Sequence, residues 1–329
     1  MHFFIKKINL SHKVWTVIIF VLIVLVSFFS GYLFNKFLIS NNIIMKQESH
    51  ETGFKYISPL LECLDLPATD YKSARTSEKI QDLINYEVNA KNISFASVYV
   101  RDLNNGPWLG FNEKEKFSPA SLMKVPLLIS CLRFAEDHPG FLKKRIVIDS
   151  TDNNMNLKQN IVPLKKVEYG KSYTVDELLT YMMADSDNTA TNALINNIDQ
   201  DFLNHVYTDL NVNIPSANQE NYMNVIDYAT FFRILYNSTY LNREMSEKAL
   251  ALMTQSTFTK GLVAGVPVGI SVSHKFGERI LDNAKQLHDC GIVYRQKSNY
   301  LVCIMTRGDD FQKMESSIKD FSNLIYNNF

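Results

Sequence analysis

Three short strings in this chain hold residue types that do chemistry together: Ser121-Leu-Met-Lys124, Ser186-Asp187-Asn188 and Lys275-Phe276-Gly277. A serine hydroxyl is a weak nucleophile until a base takes its proton. In Ser121-x-x-Lys124 the two side chains lie about one helical turn apart on one face, within reach of each other. Burial that strips a lysine of its charge turns it into such a base. A serine at a helix N-terminus also sits in a positive field that favours a developing oxyanion. The same spacing recurs in Ser316-Ser-Ile-Lys319, so the string alone decides nothing. Context separates the two, because Phe117-Ser-Pro-Ala-Ser121 opens a strongly apolar helix after a hairpin. Taken alone, Ser186-Asp-Asn reads as helix capping, and Lys275 as a charge at the end of a strand.

The elements that must position these strings follow from periodicity and turn chemistry. Ile80, Leu83, Ile84 and Val88 mark an amphipathic helix. Phe95 to Leu103 alternates, Asn104-Asn105-Gly106 makes a turn, and Trp108 to Phe111 returns as the second strand of a hairpin. A helix from Ser121 to about Asp137 stops at His138-Pro139-Gly140. Thr174-Val-Asp-Glu177 is a capping box before Leu178, Leu179, Met182 and Met183. Helices are expected over Thr189–Ile198, Val225–Tyr236, Arg243–Thr254 and Phe311–Tyr326. Strands are expected over Val266–Phe276, Leu287–Arg295 and Tyr300–Thr306, the last two joined at Lys297-Ser298-Asn299. Two early and three late strands make one mostly antiparallel sheet of five, and the helices between them form a second lobe. A cleft between lobes is the natural place for a site.

The chain has 329 residues, 46% of them hydrophobic and 21% charged, enough to bury a real core. Lys+Arg and Asp+Glu both number 34. That balance argues against a nucleic-acid protein, which carries a basic excess or stripe. Val14 to Phe34 is an uncharged apolar run. Its length matches a helix crossing a hydrocarbon core of about 30 Å. Lys6, Lys7 and Lys13 precede it and Lys36 follows, which favours an inside N-terminus. No small-x-small cleavage site follows, which favours a retained anchor over a cleaved signal. The expected organisation is a cytoplasmic N-terminus (1–13), a membrane anchor (14–34), a polar linker (35–53) and an extracytoplasmic domain (54–329). Cys63, Cys131, Cys290 and Cys303 fit no zinc spacing. They permit three full disulfide pairings, among which the sequence does not choose, and Cys131 within its apolar helix reads as a buried thiol.

Taken in order, the three strings resemble the motif set of the serine β-lactamase and penicillin-binding-protein superfamily. Within it the chain is similar to the class A-like serine hydrolases over roughly Phe54 to Tyr326. Ser186-Asp-Asn-Thr-Ala-x-x-Asn192 and Gly265-Val-Pro add to the likeness. The resemblance implies an α+β fold and a cofactor-free, metal-free acyl transfer on a β-lactam or a peptidoglycan stem peptide. It implies Ser121 as acylated nucleophile, Lys124 as its base and Ser186 as proton relay to the leaving nitrogen. It implies Asn188 and Lys275 as substrate-binding groups, with Gly277 completing the third motif. The backbone N–H groups of Ser121 and Glu278 would form the oxyanion hole.

Two departures change the expectation. The third motif has Phe276 where a hydroxyl residue normally helps to hold a substrate carboxylate; Arg279 and Ser273 are the nearest replacements. Class A enzymes also use a loop glutamate to activate the deacylating water. Glu220 with Asn224 reproduces the Glu-x-x-x-Asn spacing, yet Tyr222-Met-Asn-Val-Ile-Asp reads as the start of the helix after that loop. On that reading the loop Leu210 to Asn221 is short and lacks a glutamate near its beginning, and the enzyme acylates and then turns over slowly. The first expectation is β-lactam hydrolysis through a Ser121 acyl-enzyme; the alternatives are a D-Ala-D-Ala peptidase or penicillin-binding-type enzyme with slow deacylation, and a catalytically weak muropeptide or β-lactam binding protein.

Overall fold

The computed structural model describes residues 15, 20–27, 29, 44–67, 72–104, 106–149, 159–212, 220–281, 284–296 and 298–329. The chain divides into two compact units, one of residues 1–45 and 65–69, the other of 46–64 and 70–329. In the small unit, Phe20–Ser27 is helical. Most of the expected anchor lies outside the described residues. Among the described residues no helix is long and apolar enough to cross a membrane.

Strands β1 (Ile44–His50) and β2 (Leu60–Pro67) form a two-stranded sheet. β1 falls in the stretch expected to be a polar linker. Glu247 then ties down the following segment, its carboxylate accepting the backbone N–H groups of Lys55, Tyr56 and Ile57. Helix α1 (Lys72–Asn89) leads into β3 (Phe95–Asp102) and β4 (Trp108–Phe111), the expected hairpin. A 3₁₀ turn (Ala120–Met123) precedes α2 (Lys124–Asp137). The expected single helix is therefore a 3₁₀ turn followed by an α-helix. Pro126 fits because the first helical turn needs no N–H donor from it. A short pair, β5 (Arg145–Val147) and β6 (Ser172–Thr174), comes next.

The helical block follows as α3 (Val175–Ala184), α4 (Asn188–Asn197), α5 (Gln200–Asp209), α6 (Val225–Tyr236) and α7 (Arg243–Met253). Thr174 and Glu177 close the expected capping box at α3. Helix α5 was not foreseen, although its cap, Asp199 accepting the Phe202 N–H at 2.8 Å, was present in the sequence. Three long strands, β7 (Val272–Leu281), β8 (Ala284–Val293) and β9 (Tyr300–Gly308), precede the terminal helix α8 (Phe311–Asn328).

The five-stranded sheet is antiparallel in the order β4-β3-β9-β8-β7. Alternation along β9 divides the core. Leu301, Cys303 and Met305 pack with the helical block, while Tyr300, Val302 and Ile304 pack against α1 and α8. Cys290 and Cys303 face each other in the β8–β9 register and are disulfide-bonded; Cys131 is a buried free thiol. β7 begins later than expected. Val266 to Ile270, read as strand, is a turn, with Pro267 and left-handed Gly269 (φ 91°) breaking the extended run.

Gly265 packs where no side chain fits. A Cβ there would lie 2.5 Å from Lys319 O on α8. Gly265→Ala is expected to destabilise the fold by roughly 1–3 kcal/mol through overpacking, read as a lower urea midpoint with an unchanged m-value.

Candidate active site

The first string sits where the sheet meets the helical block. Pro119 O accepts Leu122 N–H at 2.9 Å to close the 3₁₀ turn, and Tyr228 donates to Leu122 O at 3.1 Å from α6. Ala120, just before Ser121, is in the left-handed region (φ 49°), where a non-glycine residue is strained. β7 presses on this turn from the other side. A Cβ on Gly277 would lie 2.7 Å from Pro119 O and 3.1 Å from Leu122 N. Only glycine lets the strand run that close to the serine.

Ser186 shares the same strain (φ 57°) at the break between α3 and α4. Asp187 caps α4 through Thr189 N–H at 2.7 Å and also accepts Val167 N–H at 2.8 Å. The capping reading of this string thus holds for Asp187, while Asn188 lines the cleft and the buried Ser186 meets the two lysines behind it.

Lys124 is buried, with Nζ 2.7 Å from Ser186 O, 3.0 Å from Ser186 Oγ and 2.7 Å from Asn188 Oδ1. Its pKa lies well below 10.5, chiefly through burial and further through Lys275, against a raising pull from Asp187. Lys275 Nζ reaches the same Ser186 Oγ at 3.1 Å and donates to Phe276 O at 2.8 Å. Burial lowers it to about 7, against Asp289 and Glu278. One hydroxyl is therefore shared by two lysines, both pushed towards the neutral form.

Ser121, Lys124, Asn188, Glu278 and Arg279 line one cleft of about 660 Å³. Three site features had no sequence signal. Gln159 donates to Ser186 O at 3.0 Å, and Ile161 N–H donates to Glu278 Oε1 at 2.8 Å, so residues 159–161 reach both walls of the cleft. The ring of Phe276 stacks on Phe258, centroids 4.4 Å apart. Burial raises the Glu278 pKa above the usual carboxylate range.

Several expectations change. Glu220 lies at the end of its loop, where Met223 bridges to Phe117 and Asn224 caps α6. One carboxylate oxygen accepts from the Ser118 hydroxyl and the other from Arg279 at 2.7 Å. Residues 213–219 of that loop lie outside the described residues. Ser273 is buried and bonds Leu250 O at 2.8 Å and Tyr294 OH at 3.1 Å, so its hydroxyl is committed away from a substrate. His274, next to Lys275 in the sequence, is buried in the interior and pairs with Asp289 at 2.8 Å. His288 donates to Ser118 O at 3.0 Å, and burial lowers its pKa to about 4.

Residues 75–329 match the β-lactamase enzyme family. The chain belongs to that family. Among solved structures it is similar to a PBP-A variant in an acyl-enzyme complex with penicillin G, at 21% identity and TM-score 0.64, covering 77% of this chain and 96% of the other. It is likewise similar to a β-lactamase from Sphaerobacter thermophilus, at 22% identity and TM-score 0.65 over 76% and 96% of the two chains. A class A β-lactamase from Mycobacterium abscessus matches at 18% identity and TM-score 0.64 over 77% and 98%. No curated protein matches the sequence. At these identities the structural likeness speaks for the fold.

The buried lysines leave a mark on stability. Lys275 has its folded pKa depressed to about 7 from 10.5. Between those values the unfolded chain holds a proton that the folded chain lacks, so this group makes stability rise with pH through that window. Lys275→Met is expected to flatten the rise, measured as urea midpoints across the window for both proteins.

Proposed function

We propose that the chain is an extracytoplasmic serine acyl-transfer enzyme that opens β-lactam-type amides through an acyl-enzyme on Ser121 and releases the acyl group slowly. The observation that carries this reading is the desolvated Lys124 amine, held between Ser186 and Asn188 in the cleft that Ser121 lines. Neutral Lys124 takes the Ser121 proton as Oγ attacks the carbonyl. The N–H groups of Ser121 and Glu278 receive the developing oxyanion. The proton passes through Ser186, which contacts both lysines, to the leaving nitrogen as the amide bond breaks. Asn188 and Lys275 hold the groups around it.

Hydrolysis of the acyl-enzyme needs a base for water. Glu220 has both oxygens engaged by Ser118 and Arg279, which supports a long-lived adduct of the penicillin-binding type over efficient β-lactam turnover. The penicillin acyl-enzyme of the PBP-A variant is a structural precedent for such an adduct on this fold. Placement outside the cytoplasm is supported by the lysines before the Val14–Phe34 run. The outward exposure of Phe20 through Val26 and the Cys290–Cys303 disulfide agree with it.

Intact-protein mass after incubation with a β-lactam panel tests the chemistry. A persisting adduct without accumulating product is expected. Ser121→Ala should abolish it, and Lys124→Ala should slow its formation by about 10²-fold or more. Rapid loss of the adduct with product release would instead make the protein an efficient hydrolase. Removal of residues 1–34 is expected to move the protein from the membrane fraction to the soluble fraction, followed by immunoblot.

A further inference from the structure

With Ser186 serving the leaving nitrogen, the acyl half of a substrate runs from Ser121 the other way, past Asn188. Helices α2 and α4 wall the cleft on that side. α4 lines it with Asn188, Thr191, Asn192 and Ile195, which stand at i, i+3, i+4 and i+7 on one helical face. α2 lines it with Lys124 and, one turn further along, Leu127. The contact of Lys124 Nζ with Asn188 Oδ1 at 2.7 Å joins the two faces at their polar end.

Both faces turn apolar away from that contact. Leu127 and Ile195 line the same cleft together with Tyr207 of α5, and all three pack with the core of the helical block. The charged lining groups, Lys124, Glu278 and Arg279, come from the start of α2 and from β7; among the described residues α4 and α5 bring none. Ile195 lies two helical turns beyond Asn188, about 10 Å along the axis. A carbon chain of roughly six to eight atoms covers that length. An uncharged wall of this kind favours burial of hydrocarbon and penalises burial of an unpaired charge.

We propose that the Leu127–Ile195–Tyr207 end of the cleft binds an aliphatic acyl tail, so that the preferred acyl donors are amides and esters of medium-chain alkanoic acids. The proposal rests on the acyl-transfer reading above and narrows its substrate class on the acyl side. Ile195, at the far end of the α4 face, determines the chain length accepted. Asn188 and Asn192 flank the polar head of the acyl group, and the tail lies against the apolar turn that follows.

The test varies chain length at constant leaving group. Full-length protein is incubated with the p-nitrophenyl esters of acetic, butanoic, hexanoic and octanoic acids. The rate of acylation is read by intact mass, with Ser121→Ala subtracting labelling elsewhere. A fully buried methylene is worth about fourfold, so a partly buried tail is expected to make hexanoyl label roughly tenfold or more faster than acetyl. Ile195→Asn should cut that ratio about threefold or more, through a polar group placed against the tail. Ile195→Trp, which fills the end of the cleft, should move the fastest chain down to butanoyl, a shift that loss of folding alone does not produce. Equal rates at all chain lengths in the parent protein, or a chain-length profile unmoved in both variants, would overturn the proposal and leave the acyl-transfer reading standing. Labelling by none of the esters would also overturn it, and if penicillin G leaves Ser121 unlabelled as well, the acyl-transfer reading falls with it.

Discussion

The burial of Lys124 constrains the rest of this molecule. An ammonium taken out of water costs several kcal/mol unless it is paired or loses its proton. Among the described residues the hydrogen bonds of Lys124 Nζ go to the Ser186 carbonyl and hydroxyl and the Asn188 amide oxygen, while the Asp187 carboxylate pulls its pKa upward against the effect of burial. Those neutral oxygens bring no compensating charge, so burial and the neighbouring Lys275 favour the form that can accept a proton. Holding them there requires strained backbone at Ala120 and Ser186. The sheet, the 3₁₀ turn and α6 over-determine that strain. Gly277 permits the contact between β7 and the turn, and Tyr228 pins the turn from behind.

Lys275 adds a second amine to the same hydroxyl. Two ammonium groups converging on Ser186 Oγ repel each other, and burial penalises both charges. The Asp289 and Glu278 carboxylates oppose the loss of the Lys275 proton, which leaves that group near neutrality at about 7. The proton that leaves Ser121 therefore has a short route past two buried amines, each of which holds a proton less tightly than an exposed lysine.

Much of this was legible in the sequence, for identifiable reasons. The three strings, the Thr174–Glu177 box and the five strands announce themselves through local spacing and turn chemistry, and the structure brings Ser121, Lys124, Ser186, Asn188 and Lys275 to one place. Local pattern failed where tertiary contact decides. The apolar stretch before Lys275 looked like strand, but Gly265 is fixed against α8 and the chain must turn before pairing with β8. Glu220 had the right spacing for a base, while its partners, Ser118 and Arg279, come from distant segments. Gln159 carries no periodic or motif signal, because its meaning lies in its bond to Ser186 O; Phe276 stands out in the third motif, but its stacking partner Phe258 does not.

The protonation state of Lys124 is the most direct measure of the central constraint. Protein carrying ¹³C-labelled lysine, with the Lys124 signal assigned by its loss in Lys124→Met, reports that state by NMR across a pH titration. The buried amine predicts a Lys124 side chain that loses its proton well below the ordinary 10.5. A Lys124 signal that stays charged up to that ordinary value would contradict a neutral base in this site, and with it the route by which Ser121 becomes a nucleophile.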